Sequence, residues 1–238
     1  MAQKIVNYNN FDFEINYEIS NPSQPTSIVI LHGWGSNKEI MKQAFLGSLN
    51  EFKLIFVDMP GFGKSPNDNM SLTTLDYANI MKIFLDGENV ICAIGHSFGG
   101  KVATLLECKN LVLLSTSGIL EPKPLKVKAK IALFKILKPF GGAKIRKYFA
   151  SSDANQMNQF MYETFKNVVN EDFEPFFKAS KSHTLAIWGK SDTATSVKSG
   201  EKISKIIHDC KFFPLEGDHY FFLKQKNVVC DIISKNLI

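Results

Sequence analysis

The sequence predicts a doubly wound α/β fold with a mostly parallel sheet and one helical insertion. Short apolar runs without strict alternation recur along the chain, as in strands that are buried on both faces. Segments with helical periodicity lie between these runs, and alternation of strand and helix is typical of such a sheet. The alternation stops over residues 120–182, where helical patterns dominate and no strand-like run is clear.

An antiparallel hairpin is predicted at the start of the chain. Two alternating segments, Lys4–Tyr8 and Phe11–Ile19, are separated by Asn9-Asn10, which is a typical tight-turn pair. Six continuous apolar runs then predict the buried strands. These runs are Ser27–Leu31, Lys53–Val57, Asn89–Ile94, Leu111–Leu114, Thr184–Trp188 and Lys211–Leu215.

Several of the gaps between these strands carry helical periodicity. The apolar spacing from Leu72 to Phe84 predicts a helix that Ser71 could cap, and further helices are predicted over 98–107, 197–207 and 221–233. We therefore expect a core domain formed by residues 1–119 and 183–238. Residues 120–182 are expected to form a helical cap inserted between two strands of the sheet.

Composition and charge exclude several functional classes. The chain has 238 residues, 45% of them apolar, which fits one globular domain with a full core. The net charge of +5 comes without a nucleic-acid-binding motif, so we expect no nucleic-acid partner. The four cysteines are dispersed, with no metal-ligand spacing, so neither a metal nor another cofactor is expected.

The cysteines and the apolar segments also predict a location. Dispersed single cysteines suit a reducing compartment. The first residues contain no apolar stretch of the signal-peptide kind, and no window approaches the ~20 apolar residues of a membrane span. The sequence therefore predicts a cytoplasmic protein without a transmembrane segment.

A nucleophile motif stands at the end of the third buried run. Residues Gly95-His96-Ser97-Phe98-Gly99-Gly100 match G-x-S-x-G, between a predicted strand and a predicted helix. A sharp strand-to-helix turn of this kind exposes the serine hydroxyl, and its small flanking residues let the backbone pass closely. The helix N-terminus behind Ser97 favours developing negative charge. Ser97 is therefore the candidate nucleophile.

A serine nucleophile needs a base and an acid that orients the base. Asp192 follows one predicted strand and His219 follows the last one, which places both at the carboxyl edge of the sheet. The order Ser, acid, His is the chain order of this motif. Asp209 and Asp218 are rival acids, but Asp209 precedes a strand and Asp218 adjoins the histidine. We therefore predict the triad Ser97, Asp192 and His219.

The oxyanion that forms during acyl transfer needs two backbone N–H donors. The sequence predicts that Phe98, directly after the nucleophile, supplies one donor and that Trp34, in the loop after an earlier strand, supplies the other. We expect the Trp34 indole to line the pocket. His32, Gly33 and His96 are predicted to support these loops or the pocket rather than to act as the base.

Taken together, these motifs resemble the α/β-hydrolase superfamily. The resemblance covers roughly residues 27–238 and rests on His32–Gly35, Val57–Ser65, Gly95–Gly100, Trp188–Asp192 and Gly217–His219. It implies a serine hydrolase with a helical cap. In relatives, the loop that holds Asp58 and Ser65 shapes the site without taking part in the chemistry.

Two branches of the superfamily look similar to this chain. One comprises the hydrolases of 2-hydroxy-6-oxo-dienoates, which cleave a carbon–carbon bond. The other comprises the esterases that demethylate pimeloyl-carrier-protein ester, which share the His-Gly-Trp-Gly loop. His96 occupies a position where the first branch usually has a small polar residue, so we favour hydrolysis of a small or medium carboxylic ester. A non-catalytic receptor for a small molecule is the alternative from another class.

Positive charge is concentrated at the start of the predicted cap. From Glu121 to Tyr148 the sequence contains nine basic residues and one acidic residue, and apolar residues are interleaved with them. Such helices are expected to be amphipathic, which fits a solvated lid packed over the pocket. The alternative is that the basic face docks an acidic acyl carrier protein or an anionic membrane surface.

Overall fold

An eight-stranded sheet runs through the chain in the computed structural model, which describes residues 2–121 and 157–237. The spatial order is β1-β2-β4-β3-β5-β6-β7-β8. β1 and β2 form an antiparallel hairpin, β2 is antiparallel to β4, and all later neighbours are parallel. The strands are β1 Ala2–Tyr8, β2 Phe11–Ser20, β3 Ser27–Leu31, β4 Lys53–Val57, β5 Val90–His96, β6 Asn110–Leu114, β7 His183–Gly189 and β8 Cys210–Leu215.

The predicted fold class is confirmed. Each predicted strand is present within a residue or two of its expected bounds. Asn9 and Asn10 both have positive φ values, 52° and 65°, as the tight turn between β1 and β2 requires. β3, β6 and β7 are buried along their whole length, because both of their faces are covered. Continuous apolar runs were therefore the correct signal for them.

The helices cover both faces of the sheet. Residues of α2, α3 and α6 join one apolar cluster, and residues of α1, α7 and α8 join the other. Two further helices, α4 and α5, precede β7. The helices are α1 Lys38–Phe45, α2 Thr74–Phe84, α3 Phe98–Leu105, α4 Gln159–Val169, α5 Glu174–Ala179, α6 Val197–Ile206, α7 Phe221–Lys224 and α8 Lys226–Asn236.

Three details of the helices differ from the sequence prediction. Ser71 is not a cap: α2 is capped by Thr73, whose hydroxyl accepts from the Asp76 N–H while the Asp76 side chain accepts from the Thr73 N–H. The last predicted helix is divided into α7 and α8 at Gln225. The short helix α1 was not predicted, and the side chain of Asn37 caps it.

The predicted cap lies largely outside the described residues, since residues 122–156 fall there together with the basic stretch. The described remainder of the segment contains α4 and α5. The domain boundaries at 119/120 and 182/183 stay a prediction. Within the described ranges, every helix is too short or too polar to span a bilayer.

The strand order defines where a ligand site is expected. From β3 the chain moves to β4 on one side, and from β5 it moves to β6 on the other, so the order reverses between β3 and β5. Crevices at the carboxyl ends of the strands beside such a switch point bind ligands in open α/β sheets. The loop after β3 and the turn after β5 meet there, which brings Gly33–Trp34 and Ser97 together.

Candidate active site

Ser97 occupies a strained turn between β5 and α3. Its backbone has φ 51° and ψ −116°, in a region that non-glycine residues rarely adopt. Three backbone bonds hold Ser97: its N–H donates to the Leu114 carbonyl of β6 at 3.0 Å, and its carbonyl accepts from the N–H groups of Gly100 at 3.1 Å and Ser117 at 3.2 Å. Strain that the surrounding structure holds in place is a recurrent property of functional sites.

Two glycines make this turn possible. A Cβ added at Gly95 would lie 2.3 Å from the Gly99 carbonyl oxygen, and one added at Gly99 would lie 2.4 Å from the His32 carbonyl oxygen. Both obstacles are backbone atoms, which cannot rotate away. The elbow therefore packs directly against the backbone of the loop after β3.

Gly99→Ala is expected to lower hydrolytic activity by about 10²-fold or more, because displacing the elbow from the loop after β3 misplaces the reacting groups. The check is kcat/KM with a p-nitrophenyl ester, beside a thermal unfolding curve. Gly47→Ala is the control: Gly47 has a positive φ, 80°, which strains an alanine, but a Cβ there meets nothing within 4 Å. That variant should be less stable but should keep its hydrolytic activity. Equal activities of the two variants would contradict the packing argument.

An acid–base pair lies at the same edge of the sheet. Asp192 Oδ2 is 2.7 Å from His219 Nδ1, and the side chain of Asp192 is fully buried while that of His219 is 17% exposed. Among the described residues, no hydrogen bond uses the other ring nitrogen, Nε2. The carboxylate therefore fixes the tautomer with the proton on Nδ1, and Nε2 is left free to accept a proton.

Asp192 is held by a short loop of its own. Its Oδ1 accepts from the N–H groups of Ala194 and Thr195 at 2.8 and 3.0 Å, and its Oδ2 lies 2.9 Å from the Thr195 hydroxyl. Burial raises the pKa of Asp192, but hydrogen bonds from His219 and the Thr195 N–H outweigh that effect and hold the pKa at about 2. The carboxylate is therefore ionised across the physiological range.

The two rival acids are engaged elsewhere. Asp209 Oδ2 is 2.8 Å from His183 Nδ1, at the start of β7 and therefore at the opposite edge of the sheet. Asp218 is exposed, and its Oδ1 accepts from the Tyr220 N–H at 2.9 Å. Of the three candidates, Asp192 is the one that contacts His219.

Ser97 and His219 are connected through shared neighbours. His96 donates from Nε2 to the His219 carbonyl at 3.0 Å, and the two imidazole rings lie 4.6 Å apart between centroids. Thr195, whose hydroxyl is 3.5 Å from His219 Nδ1, borders the same cavity as Ser97. The structure therefore brings all three residues of the predicted triad to one location.

Thr195 is a residue that the sequence analysis missed. Its hydroxyl also lies 2.9 Å from the Ser115 carbonyl, so it links the acid loop to the end of β6. The signal in the sequence was the spacing Asp192-x-x-Thr195, in which a carboxylate can accept bonds from the backbone two and three residues ahead.

The loop after β3 holds a peptide group in a defined orientation. The Met59 N–H donates to His32 Nε2 at 3.1 Å, so the ring proton is on Nδ1, which donates to the Gly33 carbonyl at 2.8 Å. In a trans peptide the carbonyl and the following N–H point in opposite directions. The Trp34 N–H therefore points away from His32, and none of the hydrogen bonds among the described residues uses it.

Both predicted oxyanion donors border this region. Phe98 is the first residue of α3, and the first N–H groups of a helix have no acceptor within the helix. Gly33 lies against Ser97, since a Cβ added at Gly33 would be 3.2 Å from Ser97 Cβ. Trp34 and Phe98 also border the cavity, and their rings contact each other with centroids 5.5 Å apart.

The loop that begins at Asp58 holds His32 in place through the bond from the Met59 N–H. Asp58 is buried and accepts from the Lys38 ammonium at 2.5 Å, from the Lys38 N–H at 2.8 Å and from the Lys64 N–H at 3.0 Å. Removing one partner of a buried ion pair is strongly destabilising, since it leaves an uncompensated charge. Asp58 therefore shapes the loop that fixes Met59, the donor to His32.

Acid is expected to destabilise the fold through His32 and His96. Burial lowers the pKa of His32 to about 4 and that of His96 to about 3. An unfolded histidine has a pKa near ~6.5, so from there down to about 4 the unfolded chain binds protons that the folded chain does not. Within this range, the free energy of unfolding should decrease by about 1.4 kcal/mol per histidine for each unit by which the pH is lowered.

The check is denaturant unfolding of the wild type and His32→Asn between pH 4.5 and 6. In the variant, the free energy of unfolding should depend less steeply on pH, by the contribution of one histidine. His208→Asn, at an exposed position, is the matched control for the substitution itself. An unchanged slope for His32→Asn would show that His32 is not held neutral in the folded state.

A cavity of about 340 Å³ opens beside Ser97. Its apolar part includes Trp34, Phe98 and Phe165, and its polar part includes Lys101 and Glu171. The volume is at the small end of the usual range for small-molecule sites. Among the described residues, no group of three or more His, Cys, Asp or Glu side chains is arranged to hold a metal ion.

Comparison with known proteins agrees with this geometry. Residues 28–198 match the model of the Alpha/beta hydrolase family, which covers more than half of the chain. The chain therefore belongs to the alpha/beta hydrolase family, and it is a hydrolase. This confirms the resemblance to the α/β-hydrolase superfamily that the sequence motifs indicated.

Individual relatives are esterases or related proteins. A pimeloyl-[acyl-carrier protein] methyl ester esterase from Wigglesworthia glossinidia brevipalpis is 26% identical, over 89% of this chain and 93% of that protein. A biotin biosynthesis bifunctional protein from Teredinibacter turnerae is 32% identical over 56% of this chain, and the match spans about a quarter of its length, 24%. The solved esterase from Exiguobacterium antarcticum has a TM-score of 0.76 at 19% identity, covering 99% of both chains. At that identity the structural likeness concerns the fold alone.

Proposed function

We propose that this chain hydrolyses small or medium carboxylic esters through an acyl-enzyme on Ser97. The observation that carries the proposal is the 2.7 Å contact between Asp192 Oδ2 and His219 Nδ1, at the same edge of the sheet as the strained elbow of Ser97. Thr195, which contacts both Asp192 and His219, borders the cavity that Ser97 also borders. A strained nucleophile, an oriented base and two N–H donors are the parts that acyl transfer requires.

The proposed reaction follows from these positions. His219 Nε2 takes the hydroxyl proton of Ser97 as the oxygen attacks the ester carbonyl carbon. The carbonyl oxygen then carries negative charge and accepts from the N–H groups of Trp34 and Phe98. His219 returns the proton to the departing alcohol, which breaks the ester bond. A water molecule then attacks the acyl carbon while His219 takes its proton. His219 returns that proton to the Ser97 oxygen as the bond to the acyl group breaks, which releases the acid and restores the enzyme.

The ionised Asp192 stabilises the imidazolium that forms in both steps. Because its pKa is held at about 2, the carboxylate accepts the Nδ1 proton without itself becoming protonated. His96 and Thr195 act through these residues: His96 holds the backbone of His219, and Thr195 holds the carboxylate of Asp192.

The first experiment is a panel of p-nitrophenyl esters of increasing acyl length, measured beside a 2-hydroxy-6-oxo-dienoate. Ester hydrolysis with little turnover of the dienoate supports the proposal. The reverse preference would favour the carbon–carbon hydrolase, which uses the same triad. A protein that binds acyl compounds but hydrolyses none, and that fluorophosphonate does not label, would be the non-catalytic receptor.

We further propose that the physiological ester is presented by an acyl carrier protein. Two observations support this: the similarity to a pimeloyl-[acyl-carrier protein] methyl ester esterase, and the concentration of nine basic residues between Glu121 and Tyr148. Acyl carrier proteins are acidic, and complementary charge raises association rates most at low salt.

Reversing four of these lysines should separate docking from chemistry. With Lys123, Lys126, Lys128 and Lys130 changed to Glu, kcat/KM for a carrier-linked ester should fall about tenfold or more at low salt and lose its salt dependence. Hydrolysis of a small free ester should be unchanged. Four exposed lysines from elsewhere, Lys178, Lys190, Lys205 and Lys235, serve as the matched control. Equal effects on both substrates, or on neither, would dismiss the carrier protein as partner.

A further inference from the structure

A buried lysine borders the cavity that holds the candidate nucleophile. Lys101 lies on α3, four residues after Ser97, and its side chain is only 2% exposed. At ~1.5 Å of rise per residue, the two residues are separated by about 6 Å along the helix axis. Lys101 and Glu171 line the same cavity as Ser97. Small-molecule sites are mostly apolar, and the few polar groups that they contain fix the orientation of the ligand.

The ammonium of Lys101 has two hydrogen-bond acceptors. Its Nζ donates to the Val168 carbonyl at 2.8 Å and to Glu171 Oε2 at 2.8 Å. The rings of Phe98 and Phe173 flank it, with centroids 5.6 and 5.5 Å from Nζ. Burial lowers the pKa of Lys101, and the hydrogen bond and charge of Glu171 act in the opposite direction.

Among the described residues, one N–H of this ammonium has no acceptor. A lysine ammonium carries three N–H donors, and within residues 2–121 and 157–237 two acceptors are found for Lys101. Aromatic rings compensate an ammonium only in part. A buried charged donor without a partner is costly, so an oxygen atom supplied by a cavity occupant would be favoured.

We propose that Lys101 forms a second subsite in the acyl pocket, which binds a neutral oxygen on the acyl chain, such as a keto or hydroxyl group, a few bonds from the ester carbonyl. The proposal rests on the proposed ester hydrolysis. A neutral oxygen fits better than a carboxylate, because the charge of Lys101 is already matched by Glu171. Glu121, which also borders the cavity, would repel an anion as well.

The test compares esters that differ only in the distal oxygen. The p-nitrophenyl esters of 4-oxopentanoic, 5-oxohexanoic and 6-oxoheptanoic acid are each measured against the unsubstituted ester of equal chain length. At least one oxo ester should show kcat/KM about tenfold or more above its partner, since a hydrogen bond to a charged donor discriminates by about that factor. Equal values for all three pairs would overturn the proposal.

A variant then assigns the preference to Lys101. In the double variant Lys101→Met, Glu171→Gln both charges are removed at similar volume, so no unpaired charge is left buried. The oxo preference should disappear while the unfolding curve shows a folded protein. The control is Lys82→Met, Glu107→Gln, an exposed ion pair at 3.2 Å outside the cavity, which should keep the preference. Preference retained in the Lys101 variant would overturn the assignment.

A binding measurement keeps this test separate from the proposed catalysis. Ser97→Ala is titrated with 5-oxohexanamide and hexanamide, which have no ester to cleave, and the intrinsic tryptophan fluorescence is followed. The subsite predicts a lower Kd for the oxo amide by about tenfold. Equal Kd values, or no binding of either amide, would contradict the subsite. Failure of ester hydrolysis with a preserved oxo preference in binding would reject the proposed function alone.

Discussion

Replacing Ser97 with alanine is expected to lower kcat for ester hydrolysis by at least about 10³-fold, while the protein stays folded. The substitution removes the hydroxyl that attacks the carbonyl and leaves the backbone bonds of the elbow in place. Alanine has the same difficulty as serine at φ 51°, so the strain of the turn is not relieved. The residual rate should reflect binding and the two N–H donors alone.

The measurement is steady-state hydrolysis of the preferred p-nitrophenyl ester by protein with a wild-type unfolding curve. Ser117→Ala provides a control on the same cavity wall, since Ser117 borders the cavity but has no role in the proposed reaction. A Ser97→Ala protein that retains more than a tenth of wild-type turnover would exclude Ser97 as nucleophile.

Asp192→Asn is expected to lower kcat by about 10⁴-fold, the size of effect that removal of a triad acid causes elsewhere. Asparagine keeps the volume but offers an amide where the carboxylate accepted from His219 Nδ1 at 2.7 Å. The imidazole would then lose both the anion that stabilises its charged form and the partner that fixes its tautomer. The buried site admits no replacement anion, because the Asp192 side chain is fully enclosed.

Asp218→Asn is the matched control, because the two aspartates are candidates on either side of the same histidine. Asp218 is exposed, and among the described bonds its side chain accepts only from the Tyr220 N–H, a bond that asparagine can accept too. Its rate should stay within about threefold of wild type, since conservative surface changes have small effects. The opposite ranking of the two variants would show that the acid was wrongly assigned.

Much of the fold could be predicted because its signals are local. Buried parallel strands are continuous apolar runs, so Ser27–Leu31 and Lys53–Val57 were placed with the bounds that the structure has. The signal for the elbow was also local, because one hexapeptide contains the candidate nucleophile Ser97 and the glycines that permit the tight turn. The chain order of the superfamily then selected Asp192 and His219 from several acids and histidines.

The parts that escaped prediction depend on contacts between distant residues. In the sequence, Lys101 is one residue of a predicted helix. Its Nζ lies 2.8 Å from Oε2 of Glu171, seventy residues later, only once the chain is folded. The short helix α1 lacks a long apolar stripe, and it is held by packing of Met41 and Phe45 against the sheet. Thr73 rather than Ser71 caps α2, because Asp76 lies three residues after Thr73 and completes the reciprocal pair of capping bonds.

The most direct test of the account is the site at which a fluorophosphonate probe attaches to the native protein. We expect one adduct per chain, mapped by peptide mass spectrometry to the peptide that contains Ser97. The adduct should be absent after denaturation and absent from Ser97→Ala, and Asp192→Asn should label far more slowly. An adduct on another residue, or a native protein that the probe does not label, would contradict the assignment of Ser97 as the activated nucleophile.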